Sequence, residues 1–97
     1  MNSRRADLSG HIILIVEDQP MLAFNLQVAL EEVGAEVVVA RGPQEAFARL
    51  RHLVFSAAVV HPRQRALTRE LHERGVLVVP RPASRSELMA RLATSIH

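Results

Sequence analysis

ILIVEDQPMLAFNLQVALEEVGAEVVVAR, residues 13–41, is the stretch that decides the fold. It opens on a short, continuously apolar run rich in β-branched residues, turns at Glu17, Asp18 and Gln19, and restarts at Pro20. Proline is at home in the first turn of a helix, where its missing N–H would have no partner anyway, and Gly34 supplies a helix stop. A second apolar run, AEVVVA at 35–40, follows at once. Runs without polar alternation belong to strands covered on both faces, so this segment is expected to be a strand, a crossover helix and a parallel strand.

Working outward, HIILIV (11–16) completes the first strand, and FSAAVV (55–60) and VLVV (76–79) repeat its character. Between them, Pro43 opens a helix carrying Ala46, Phe47 and Leu50. Residues 63–74 form a polar helix held by Ala66, Leu67 and Leu71 and stopped by Gly75. The last helix starts with a capping box, Ser84 to Glu87, and presents Leu88, Met89, Leu92 and Ile96 on its apolar side. The order βαβαβαβα predicts an α/β fold, a three-layer αβα sandwich around an open parallel sheet of about four strands. With 97 residues, 48% of them hydrophobic, the chain is expected to form one domain over residues 11–97 behind a flexible lead at 1–10.

Composition excludes several functions. There is no cysteine, hence no disulfide framework and no thiolate metal site, which suits a reducing cytoplasm, the expected location. No apolar run approaches the roughly 18 residues that span a bilayer, so no membrane partner is expected. The sequence pI of about 11.0 accompanies a formal net charge of only +2, because lysine, tyrosine and cysteine are absent and nothing titrates between histidine and arginine. Arg63, Arg65 and Arg69 cluster, but Glu70 and Glu73 follow, and three phenylalanines are the only aromatics. Nucleic acid is not an expected partner. Nor is a glycine-rich phosphate loop, a zinc-spaced histidine pair or a Ser-His-Asp grouping visible, so no enzyme and no cofactor are expected.

Chemistry concentrates at strand ends. Glu17 and Asp18 follow the first strand directly, where a carboxylate pair either caps the next helix or binds a hard cation through oxygen. His61 ends the third strand. On the first helix, Leu22, Leu26, Ala29, Leu30 and Val33 form the stripe that should face the sheet. Met21, Phe24 and Val28 form a second stripe on the nearly opposite side, the pattern of a contact surface.

The segment from residue 13 to 41 resembles the start of a response-regulator receiver domain, and the resemblance extends over nearly all of residues 11–97. It implies a flavodoxin-like sheet in which an acidic pair holds Mg²⁺ beside a phosphate-accepting aspartate at the end of the third strand. His61 stands where that aspartate would be, and PRPAS (80–84) resembles the Lys-Pro turn after the last strand, with Arg81 in place of lysine. Four βα units are visible where the family has five, so one unit is missing, and the hydroxyl residue of the family's fourth strand has no counterpart.

Two readings of His61 follow. It is a phosphoacceptor or, with Glu17 and Asp18, a transition-metal ligand; or it is structural, a charged imidazolium in a salt-bridged cluster with Glu17, Asp18 and Arg81 that replaces the metal. The second is the expected state, with no bound metal. With these departures from the family, the chain is expected to be a phosphorylation-independent interaction domain, and the resemblance implies as its partner a histidine kinase or another regulator of a two-component pathway. A homodimer is expected, its two first and two last helices forming one layer through Met21, Phe24, Val28 and the outer side of the last helix at Met89.

Overall fold

The computed structural model describes residues 7–81 and 84–95. Strand β1 (Ile12–Val16) leads to α1 (Pro20–Glu32), β2 (Glu36–Ala40), α2 (Pro43–Leu50), β3 (Ala57–Val60), α3 (Arg65–Glu73), β4 (Leu77–Pro80) and α4 (Arg85–Ser95). All four strands are parallel, in the order β2-β1-β3-β4. β1 and β3 lie in the middle and are apolar throughout, which is why their sequences show no alternation.

Two cores result. Leu14, Val16, Ala58 and Val60 point to one side, where they meet Ala46 and Leu50 of α2 and Leu67 and Leu71 of α3. Ile13, Ile15, Ala57 and Val59 point to the other, against Leu30 of α1 and Leu88 and Leu92 of α4. The period of two along each strand sends alternate residues to opposite layers.

Local chemistry sets the helix ends. Pro20 and Pro43 occupy first-turn positions, and the capping box of α4 forms in both directions: Ser84 N–H donates to Glu87 at 3.0 Å and Glu87 N–H to Ser84 Oγ at 3.1 Å. Gly34 and Gly75 take positive φ, 97° and 77°, which turns the chain so that Ala35 N–H reaches Leu30 O and Val76 N–H reaches Leu71 O. Each is a Schellman closure that hands the chain straight to the next strand.

Three sequence expectations change. The packed unit begins before His11: Leu8 is fully buried in the α1/α4 core and its N–H donates to Val33 O, so Asp7–Gly10 belongs to the domain. Residues 1–6 of the expected lead, and Ile96, lie outside the described residues. Ala23 joins Ala29 and Leu30 on the buried face of α1, whereas Leu22, at 37% exposure, turns toward the carboxyl end of the sheet. Met89, assigned to the outer side of the last helix, is half-buried and packs against the α1/α4 core.

Candidate functional site

An open α/β sheet places ligand chemistry beyond the carboxyl ends of its strands, at the point where neighbouring connections diverge. Here that point lies between β1 and β3, and a cleft of about 450 Å³ opens over it. Glu17 and Asp18 enter it from the end of β1, Arg41 from β2, His61, Arg63 and Gln64 from β3 and Arg81 from β4. The four residues expected at the pocket, Glu17, Asp18, His61 and Arg81, are therefore brought together.

Arg81 is held in place by the sheet, its N–H donating to Val60 O at 3.0 Å, and its guanidinium lies 3.1 Å from Glu17 Oε1. The two side chains are 14% and 9% exposed. The other oxygen of Glu17 accepts the Gln19 N–H at 2.9 Å, a bond that also shapes the turn into α1. Both oxygens of this carboxylate are thus engaged. Asp18 projects outward and is exposed.

His61 differs from expectation. Its Nδ1 accepts the Arg63 N–H at 3.1 Å, so that nitrogen is engaged within its own turn. Among the described residues no ion pair joins it to Glu17 or Asp18. Of the expected cluster of four, one ion pair forms among the described residues, Arg81 with Glu17, with His61 beside it.

The donor set does not fit Mg²⁺. A hard cation asks for several available oxygens, but both oxygens of Glu17 already have a partner, one of them the Arg81 cation, Asp18 stands at the rim, and the third strand offers a nitrogen. No group of three or more His, Asp or Glu among the described residues is placed to hold a metal. Arg41 and Arg63 were missed as lining residues, although each follows a strand end within three positions, which was the available signal.

On α1, Met21 is 74% and Phe24 59% exposed, while Val28 is half-buried. The expected contact face keeps two of its four residues on the open surface.

No family model and no curated protein matches the sequence. Among solved structures, a response regulator from Thermotoga maritima aligns with a TM-score of 0.73 at 19% identity, over 92% of this chain and 98% of its own. At that identity the likeness is one of fold. The four-stranded parallel sheet, its order and the two helical layers are those of the receiver-like, flavodoxin-type α/β fold.

Proposed function

We propose that this receiver-like domain works by binding protein without being phosphorylated, as a homodimer that modulates a two-component pathway by engaging a histidine kinase or another regulator. The observation that carries the reading is the pairing of Glu17 with Arg81. A fixed guanidinium stands against the carboxylate that would otherwise coordinate a cation, and the end of β3 presents a histidine with its Nδ1 occupied. Met21 and Phe24, exposed on α1, supply an apolar surface for the regulator.

The competing activity, phosphotransfer through His61 or metal binding with Glu17 and Asp18, is separated by treating the protein with a small phosphodonor and testing any adduct for acid and base stability. No adduct is expected. A base-labile acyl phosphate, or an acid-labile, base-stable phosphohistidine mapped to His61, would overturn the reading.

A further inference from the structure

The two edges of the sheet are not alike. On β4 the outward backbone groups belong to residues 76, 78 and 80, since Leu77 and Arg81 donate to β3. Val76 N–H donates to Leu71 O, Val78 O accepts from the Arg91 guanidinium at 3.3 Å, and Pro80 has no N–H, which leaves Val78 N–H as the one outward donor without a partner among the described residues. The proline and the arginine obstruct this edge in the way natural sheets protect exposed edges.

On β2, residues 36, 38 and 40 bond to β1, leaving 35, 37, 39 and 41 facing outward. The end donors are taken, Ala35 N–H by Leu30 O and Arg41 N–H by Glu45 Oε1. Val37 and Val39 keep both N–H and C=O without a partner among the described residues. The strand reads EVVVAR, with an acid at its start, an arginine just past its end and only valine and alanine between. A parallel copy would set like charges side by side. An antiparallel copy about a two-fold axis at Val38 sets each Glu36 opposite the partner's Ala40, away from the partner's Glu36, and each Val37 exchanges two hydrogen bonds with the partner's Val39. The open backbone groups are thus complementary to themselves in number, and the antiparallel direction keeps like charges apart.

We propose that a second copy of this chain pairs antiparallel along the outer edge of β2, joining the two sheets into one of eight strands. The inference rests on the self-association in the proposed function and replaces the helical layer, whose Met89 packs against the core and whose Val28 is half-buried. Phe24 and Gln27 flank the groove beside Val39 and Arg41, next to the added strand.

Amide hydrogen exchange by NMR on the full chain, across a concentration series with the mass followed by light scattering, tests it. Val37 and Val39 should exchange about tenfold or more slowly in the dimer and lose that protection on dilution to monomer. A dimer with both amides unprotected would overturn the edge pairing and leave the interaction reading standing. Protection that persists in the monomer would mean another segment of the chain covers the edge, and would also overturn it. A monomer at every concentration would overturn both the pairing and the homodimer, without touching the absence of phosphorylation. Val39→Pro removes an outward N–H without breaking the ladder to β1 and should give a folded monomer, while Arg91→Ala should stay dimeric. A folded, dimeric V39P would contradict the proposal; should V39P fail to fold, the exchange measurement decides.

Discussion

The guanidinium of Arg81 faces a Glu17 carboxylate that is nearly shut off from water, and separating those charges has a cost. Arg81→Ala leaves the carboxylate with only the Gln19 N–H, and because the cleft mouth admits water the loss should be about 1–3 kcal/mol, at or below the range for buried pairs, readable by urea denaturation. His61→Asp should not make the domain a phosphoacceptor, because Arg81 still occupies Glu17; stoichiometric phosphorylation of that variant by a small phosphodonor would show that the pair yields to a third carboxylate. The Asp7 carboxyl is held below the ordinary carboxylate range, first by the Ser9 hydroxyl and then by the Ser9 N–H. A lowered folded value adds stability that is present above the unfolded pKa and lost as pH falls through the folded one. Ser9→Ala should raise the Asp7 midpoint in an NMR titration and narrow that acid window. The pocket residues were legible because each adjoins a strand end, but the partner of His61 was not. Its Nδ1 takes the Arg63 N–H two residues on, a feature of turn geometry that residue identity does not reveal.

Helix ends were the most readable elements, since proline, glycine and the Ser84–Glu87 box act on the backbone within one turn. Gly34 and Gly75 share one closure but differ in surroundings: a Cβ on Gly34 would lie 2.7 Å from Ser9 Oγ and 3.2 Å from Ser9 N, whereas one on Gly75 would meet nothing within 4 Å. Gly75→Ala should therefore cost about 1 kcal/mol for its backbone conformation alone, and Gly34→Ala about 2–3 kcal/mol, both measured as shifts in chemical denaturation. Equal costs would mean that the Asp7–Ser9 turn moves aside freely. Helix faces were less readable. Met89 follows Leu88 on a helix whose neighbour covers only part of it, so an i, i+3, i+4 pattern did not say how far round the burial extends.

At the scale of the molecule, four apolar runs without alternation specified a parallel sheet covered on both faces, but neither their order nor the edge chemistry was legible in them. That Arg91 reaches Val78 O, while Val37 and Val39 stay open, depends on where α4 lies over the sheet. The same architecture converges Glu17, Arg81 and His61 from three strand ends, and the proposed function rests on an ion pair there that leaves no cation site. The most direct test is a Mg²⁺ titration followed through the amide resonances of Glu17, Asp18 and His61, in the wild type and in Arg81→Ala. The wild type should show no saturable shift at millimolar Mg²⁺, and R81A, with one Glu17 oxygen released, should bind more tightly than the wild type. Saturable millimolar binding by the wild type, unchanged in R81A, would contradict the account.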